Sequence, residues 1–279
     1  MTDLERRIHR YWSVQPPFRG EGPVGSLEWS RSISEHRHRV IPYLRDWAGF
    51  ERHAGQRVLE IGCGSGSDAL EFARAGAAVT ALDITETAVR LTRQRFAVEG
   101  LAGEVAAYDG TRLPFADEAF DLVYSYGVLH HTPGFEDLVA EAHRVLRPRG
   151  RLRAMVYHRE SLLYYYSIVW RRQLVEARGT IGRDEALARH SESRAGCPYT
   201  RAYTRAEIEA RLSAFARVTV GADYCVVDEP AERKGPAPAS LPATGVADVD
   251  AFFGRFTRAR ERGDDLRPYG WHLLVEAER

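Results

Sequence analysis

The chain has 279 residues, 44% of them hydrophobic and 28% charged, which is enough for one large α/β domain with insertions. Its 39 basic and 39 acidic residues cancel, so the net charge favours neither a nucleic-acid partner nor an anionic membrane. Cys63, Cys197 and Cys225 lie too far apart to predict a disulfide framework or a zinc site. The sequence shows no signal-peptide core and no apolar run of membrane-spanning length, so we expect a cytoplasmic protein without a bound metal.

The N-terminal segment, residues 1–55, precedes the predicted core. Leu4, Ile8 and Tyr11 recur at helical spacing. A segment rich in Pro and Gly follows, and residues 26–50 are then predicted to be largely helical.

Residues 56–158 alternate regularly between β and α patterns, which predicts a parallel sheet. Pro148 and Gly150 are expected to end the last helix of this region. The predicted strands are 57–61, 78–84, 104–108, 120–126 and 151–157, and the predicted helices are 68–75, 85–98 and 135–146.

A glycine-rich turn follows the first predicted strand, at Gly62, Gly64 and Gly66. Glycines at the junction of a strand and a helix let backbone N–H groups approach a nucleotide-like ligand. The dinucleotide pattern G-x-G-x-x-G is not met, because Ser67 stands at its third glycine.

Two carboxylates further define the expected ligand. Glu60 lies two residues before Gly62, where it would repel a pyrophosphate but could hold a cationic amino group. Asp83 ends the next apolar run, where an acid can accept hydrogen bonds from ribose hydroxyls. A ribose beside a cation, without phosphates, matches S-adenosylmethionine (SAM).

Five motifs carry a resemblance to a known family: E-I-G-C-G-S-G (60–66), A-L-D-I (81–84), Y-D-G-T-R-L-P-F (108–115), F-D-L-V-Y-S-Y-G-V-L-H-H-T-P (120–133) and V-L-R-P-R-G-R-L (145–152). In this order and spacing they resemble the class I SAM-dependent methyltransferases, most of all the small-molecule, ubiquinone/menaquinone-type (methyltransferase type 11-like) group. The resemblance is strong over residues 56–158 and weak elsewhere.

The resemblance implies a Rossmann-like fold: a seven-stranded, mostly parallel sheet with helices on both faces and an antiparallel last strand. It also implies an N-terminal helical lid over residues 1–55, a SAM-binding core over 56–158, a substrate-pocket insertion over 159–204 and completion of the sheet by 205–279.

By the same resemblance, Asp109 accepts a hydrogen bond from the adenine amino group and Gly110 lets the ring lie close. Alternatively, Asp109 caps a turn, which the following Gly and Thr would favour. The full predicted cofactor-binding set is Tyr11, Glu60, Gly62, Cys63, Gly64, Gly66, Asp83, Ile84, Asp109, Gly110, Tyr126 and His131.

His130 and His131 are the candidate catalytic residues, because a nitrogen or oxygen acceptor can need a general base. Adjacent side chains are expected to point apart, with His131 facing the pocket. A structural role at the start of a helix is the alternative, and the pair lacks the i,i+4 spacing of metal ligands.

Substrate contacts are expected from the lid and from the aromatic run 162–170. In both places packing is the alternative, since tryptophan and tyrosine stripes are common in cores and dimer contacts. Tyr166, His36 and Arg37 are further lid or pocket candidates. The predicted substrate-binding residues are Trp12, Glu28, Trp29, Tyr157, His158, Tyr164 and Tyr165.

The C-terminal part completes the predicted fold. A helix over 204–214 begins with Thr204 and Glu207 as a capping box. A strand over 216–220, a surface loop over 228–247, a helix over 249–260 and an antiparallel strand over 269–275 follow.

These observations predict an enzyme that transfers the methyl group of SAM, leaving S-adenosylhomocysteine (SAH), to a small aromatic or apolar metabolite in natural-product biosynthesis. Positioning is its main device, and we expect a monomer or homodimer. One alternative is a nucleic-acid methyltransferase, although Y-S-Y-G-V-L stands where an N/D-P-P-Y/F-like motif is expected. Others are a non-methylating SAM-fold binder and an arsenite methyltransferase, for which three scattered cysteines fit poorly.

Overall fold

The computed structural model describes residues 2–14, 20–192, 196–228 and 234–279. Its strands are β1 (Arg57–Ile61), β2 (Ala78–Asp83), β3 (Glu104–Ala107), β4 (Phe120–Tyr126), β5 (Leu146–His158), β6 (Ala202–Tyr203), β7 (Arg217–Asp223), β8 (Val227–Asp228), β9 (Lys234–Gly235) and β10 (His272–Glu278). Its α-helices are α1 (Asp3–Ser13), α2 (Leu27–Val40), α3 (Leu44–Ala48), α4 (Ser67–Arg74), α5 (Glu86–Glu99), α6 (Phe135–Val145), α7 (Arg183–His190), α8 (Arg205–Arg211) and α9 (Ala247–Glu261).

The main sheet has the strand order β3-β2-β1-β4-β5-β10-β7, and the short β6 pairs with β5. β1 runs parallel to β2 and β4, and β2 runs parallel to β3. β10 is antiparallel to β5: Arg149 N–H bonds to Arg279 O near one end and His158 N–H to Trp271 O near the other. The predicted mostly parallel α/β sheet with an antiparallel last strand is therefore confirmed.

The chain divides into two compact units. The first comprises Met1–Ala154, Arg211–Thr219 and Glu276–Arg279, and the second comprises Met155–Ala210 and Val220–Val275. The four-part division expected from the sequence remains a prediction.

The first unit has a continuous apolar core around β1, β2 and β4. Val58, Leu59 and Leu122 are fully buried, as expected for parallel strands covered on both faces. Polar caps define where the N-terminal helices begin. Thr2 and Glu5 form a capping box on α1, and Ser26 Oγ accepts from Trp29 N–H at the start of α2.

Several predicted boundaries are corrected. β5 begins at Leu146, directly after α6, rather than at residue 151. β10 lies at His272–Glu278, three residues later than predicted, because a 3-10 turn containing Pro268 occupies Arg267–Tyr269. The predicted surface loop 228–247 contains part of an antiparallel β8–β9 pair, and its residues 229–233 lie outside the described residues.

The second unit contains a long π-helix, Leu163–Glu176, where the sequence showed only an aromatic run. Its wide hydrogen bonding continues to its end, where Ala177 N–H bonds to Arg172 O at 3.0 Å. The predicted capping box of α8 is present: Glu207 N–H donates to Thr204 Oγ1 at 3.2 Å and Thr204 N–H to Glu207 Oε2 at 2.8 Å. The helix itself ends earlier than predicted, at Arg211.

Candidate functional site

The glycine-rich turn between β1 and α4 has an unusual backbone conformation. Gly62, Gly64 and Gly66 have φ values of +78°, +54° and +75°, in the region that favours glycine. The N–H groups of Gly62 and Cys63 both donate to Leu82 O, at 2.7 and 2.9 Å. The turn is thereby attached to the carboxyl end of β2, the edge of the sheet where ligands of this fold type bind.

Side chains also pack closely against this turn. A Cβ atom at Gly62 would lie 2.2 Å from Val128 Cγ2, and one at Gly66 would lie 2.6 Å from Thr92 Cγ2. Thr92 Oγ1 also donates to Gly64 O at 3.2 Å. The sequence did not single out Thr92, because a threonine inside a helix carries no signal of its own.

Asp83 connects the end of β2 to the turn. Its Oδ2 accepts from Gly64 N–H at 3.0 Å, and its Oδ1 accepts from the N–H and Oγ1 of Thr85, both at 2.9 Å. The side chain is buried, and burial raises the pKa of its carboxyl while these hydrogen bonds oppose that rise. A carboxylate has about four acceptor positions, so capacity remains for a ligand hydroxyl.

A cluster of charged groups lies beside the turn and surrounds a cavity of about 60 Å³. Arg37 of α2 makes a two-pronged ion pair with Asp68 of α4, with Nε–Oδ1 and Nη2–Oδ2 distances of 2.6 and 2.5 Å. Tyr124 Oη donates to Asp68 Oδ2 at 2.9 Å. The residues lining the cavity are Arg37, Glu60, Gly62, Cys63, Gly64, Ser65, Ser67, Asp68 and Tyr126.

Glu60 is the electrostatically exceptional member of this cluster. Its side chain is 3% exposed, and its Oε2 has no hydrogen-bond partner among the described residues. Burial first, and then repulsion by Asp68, raise the pKa of the Glu60 carboxyl well above its ordinary value, although Arg37 opposes the shift. A cationic group in the cavity would relieve this cost.

Tyr126 lies at the end of β4 as predicted, and it lines the cavity. Arg37 Cζ lies 4.6 Å from the ring centroid, a cation–π geometry. Tyr126 Oη is 2.6 Å from Tyr43 Oη. The sequence analysis named neither Asp68, which lines the cavity, nor Tyr124 and Tyr43, which bond to Asp68 and to Tyr126 respectively. Their local pattern does not distinguish them from a helix-start acid and core tyrosines.

On the expected adenine side, Asp109 is exposed and caps a turn. Its Oδ1 accepts from Thr111 N–H at 2.8 Å and from Thr111 Oγ1 at 2.7 Å, which lowers the pKa of its carboxyl. The capping alternative is thus realised, and the adenine contact stays a prediction. Gly110 lies close to Ile84, since a Cβ at Gly110 would be 3.3 Å from Ile84 Cγ2.

The two candidate catalytic histidines do not point apart, so that expectation is wrong. They lie in a 3-10 turn, Leu129–His131, and their ring centroids are 4.2 Å apart. Both are buried. Trp12 of α1 lies against His131 with a centroid distance of 4.9 Å, and Tyr11 packs edge-on against Trp12. The structure therefore brings Tyr11, Trp12 and His131 together.

The other lid residues are separated. Trp29 is buried and packs on Gly20, where a Cβ atom would lie 2.4 Å from Trp29 Cδ1. Glu28 and His36 are exposed on α2. Of the three polar candidates on α2, which are Glu28, His36 and Arg37, only Arg37 lines the cavity.

The substrate-binding candidates of the second unit are mostly packed among its own residues. Tyr157 stacks on Trp271 at 4.2 Å and donates to Glu192 Oε1 at 2.6 Å. His158 is buried with Nδ1 2.9 Å from Gly270 O, and burial lowers its pKa to about 4. Tyr165 stacks on Phe252, and buried Tyr164 has its pKa raised to about 12 by burial. Their substrate contacts stay predictions.

Part of the chain is similar to known methyltransferases. Residues 59–154 match the family model described as a methyltransferase domain. A phthiotriol/phenolphthiotriol dimycocerosates methyltransferase of Mycobacterium leprae is 39% identical over 166 residues, covering 54% of this chain and 60% of the relative. A sterol 24-C-methyltransferase of Eremothecium gossypii is 31% identical over 162 residues, covering 54% and 42%. The methyltransferase GfsG of Streptomyces halstedii is 37% identical over 102 residues, covering 36% and 37%. The chain thus spans three fifths or less of these curated relatives.

Solved structures show the same fold. A SAM-dependent methyltransferase from Methanosarcina mazei superposes with a TM-score of 0.54 at 19% identity, covering 83% of this chain and 95% of the other. The [4+2]-cyclase SpnF superposes with a TM-score of 0.52 at 16% identity, covering 99% and 93%. Among the described residues, no helix combines the length and apolar character needed to cross a membrane.

Proposed function

We propose that this chain, which carries a class I SAM-dependent methyltransferase domain, binds SAM at the glycine turn and transfers its methyl group to a small apolar or aromatic metabolite. The observation that carries the proposal is the buried Glu60, which lines the cavity at the turn and whose carboxyl oxygen Oε2 has no hydrogen-bond partner among the described residues. The α-amino group of SAM is a cation of the kind that such an oxygen binds.

The charges around the cavity support recognition of an amino-acid end. Glu60 and Asp68 supply negative charge, and Arg37 supplies positive charge from the opposite element. A methionine moiety carries both an ammonium and a carboxylate, so opposite charges on the walls suit it. On the other side of the turn, Asp83 is the proposed acceptor for ribose hydroxyls, and Ile84 and Gly110 are the proposed adenine contacts.

SAM supplies an already activated methyl group on a sulfonium, so this chain's residues mainly bind and orient. Glu60 and Asp83 would hold the two ends of the ligand, and the glycine turn would approach it between them. Trp12 would cover His131 and exclude water. His131, or His130 beside it, is the proposed base for an acceptor that must lose a proton.

The acceptor class rests on the names of relatives and on the aromatic content of the second unit. The relatives act, by their names, on dimycocerosates and sterols, which are apolar molecules. The fold alone does not establish methyl transfer, since the similar SpnF structure is that of a cyclase. The test must therefore measure SAH as a product.

We expect the purified chain to convert methyl-labelled SAM to SAH only when a suitable small acceptor is present. The panel would contain a sterol, a long-chain secondary alcohol, a phenol, a macrolide, tRNA and DNA, with label transfer measured in each. Transfer to a small apolar or aromatic molecule is the expected result. Transfer to tRNA or DNA alone would contradict the proposed acceptor. A chain that bound SAM but transferred nothing to any of these would favour the non-methylating alternative.

Glu60 predicts a pH dependence of SAM affinity. In the ligand-free protein burial and the nearby Asp68 raise the pKa of the Glu60 carboxyl, whereas a neighbouring ammonium would lower it by favouring the carboxylate. Over the pH range in which Glu60 of the free protein loses its proton, binding should therefore release a proton and SAM affinity should rise with pH. Calorimetry in two buffers of different ionisation enthalpy measures that release.

The matched variant for this prediction is Glu60→Gln, which keeps the shape and removes the charge. We expect its SAM affinity to be about tenfold lower, with a flatter pH profile and no proton release. An equally steep profile in Glu60→Gln would assign the proton to another group.

A further inference from the structure

Arg95 of α5 is fully buried, with 0% of its surface exposed, and it is not among the residues that line the cavity. Its guanidinium nevertheless makes five hydrogen bonds, which matches its five N–H donors. Toward α2, Nε donates to Ser30 Oγ at 3.0 Å, and Nη2 donates to Ser30 O and Ser34 Oγ, both at 2.7 Å. Toward the glycine turn, Nη1 donates to Ser65 O at 2.7 Å and to Ser67 Oγ at 3.0 Å.

The two groups of partners belong to the two walls of the cavity. Ser65 and Ser67 line it directly. Ser34 lies three residues before Arg37, about one helical turn, and Arg37 lines the cavity from α2. The guanidinium fork therefore joins the element that carries Arg37 to the element that forms the turn.

The charge of Arg95 is retained in this buried position. Burial lowers its pKa to about 10, still above neutral pH, and Glu99 opposes the shift. Glu99 in turn accepts from Ser30 Oγ at 2.5 Å and pairs with Arg74. A lysine could not reproduce this arrangement, because one ammonium with three donors cannot span both walls as a planar fork does.

Building on the proposed SAM site, we propose that Arg95 is a positioning residue that holds α2 and the glycine turn together as one preformed wall, and so sets SAM affinity without touching the ligand. Binding then requires little reordering of either element, which lowers its entropic cost. Without the fork, the Arg37–Asp68 ion pair still joins α2 to α4, but α2 is held less firmly against the turn. Part of the binding free energy is then spent on restoring their arrangement.

The test measures SAH affinity by calorimetry in four proteins: the parent chain, Arg95→Lys, Ser34→Ala and their double variant. Arg95→Lys is expected to bind SAH at least about tenfold more weakly, and Ser34→Ala about threefold. The double variant should bind no more weakly than Arg95→Lys, because Ser34 acts through Arg95. Ser32→Ala, on another side of α2 and bonded to Trp29 O, is the matched control and should bind as the parent does.

A purely structural role would lower thermal stability without moving affinity below the melting transition. Folded Arg95→Lys and Ser34→Ala proteins that bind SAH like the parent would therefore overturn this role for Arg95 and leave the SAM site intact. Additive losses in the double variant would also contradict it. If Arg95→Lys does not fold, Ser34→Ala carries the test, because it removes one acceptor of the fork and leaves the other four hydrogen bonds of Arg95 in place. A folded parent that binds neither SAM nor SAH would overturn the proposed function and this inference together.

Discussion

Replacing Asp83 with alanine should reduce SAM and SAH affinity by at least about a hundredfold. The change removes the proposed acceptor for the ribose hydroxyls. It also leaves Gly64 N–H and Thr85 N–H without the carboxylate to which both now donate. The turn keeps its two N–H bonds to Leu82 O but loses the bond that joins Gly64 to β2, beside the proposed ligand position. Calorimetric titration of the folded variant measures the effect.

Two further variants separate these contributions. Thr85→Ala removes one donor to Asp83 and leaves the carboxylate, so its affinity loss should be small, within about threefold. Glu86→Ala removes an exposed acid in the first turn of α5 and should bind SAM as the parent does. If Asp83→Ala retained the parent's affinity, the ribose would have to bind elsewhere and the proposed orientation of SAM would be wrong.

Gly62→Ala should destabilise the protein by about 2–5 kcal/mol, among the largest effects of a single methyl group in this chain. The backbone at Gly62 has φ +78°, which costs an alanine strain energy. The added Cβ would also lie 2.2 Å from Val128 Cγ2, far inside van der Waals contact. Urea denaturation gives the change in the free energy of unfolding.

The two causes can be separated with matched variants. Gly55→Ala has a similar φ of +72° with no atom within 4 Å of the new Cβ, so it should cost about 1–2 kcal/mol from strain alone. Val128→Ala makes room at Gly62, so the double variant Gly62→Ala/Val128→Ala should be more stable than the sum of the single effects predicts. Strict additivity would show that Val128 moves away without cost.

The core strands could be predicted because their information is local. Strands β1 and β4 have the predicted bounds, since each is a short, mostly apolar segment followed directly by a glycine. The boundaries that failed depend on neighbouring strands. β5 extends back to Leu146 through Pro148 and Gly150, and Arg149 N–H there bonds to Arg279 O, at the far end of the chain.

Within the candidate site, the sequence by itself determined the glycine-rich turn and the two acids of the neighbouring motifs, Glu60 and Asp83. Gly62, Gly64 and Gly66 have the positive φ values that glycine allows, and Asp83 lies beside the turn as its position at the end of a strand predicts. These features follow from residue type and strand order alone.

Only the tertiary structure decided which side chains complete the site. Arg37 meets Asp68 across 31 residues of sequence, and Arg95 meets Ser30 across 65. No local sequence pattern predicts such pairs, because an arginine or serine on a helix is normally exposed to solvent. Once buried, these side chains must bond to one another, because a buried donor or acceptor without a hydrogen bond costs free energy of folding. That requirement appears only when the helices are packed.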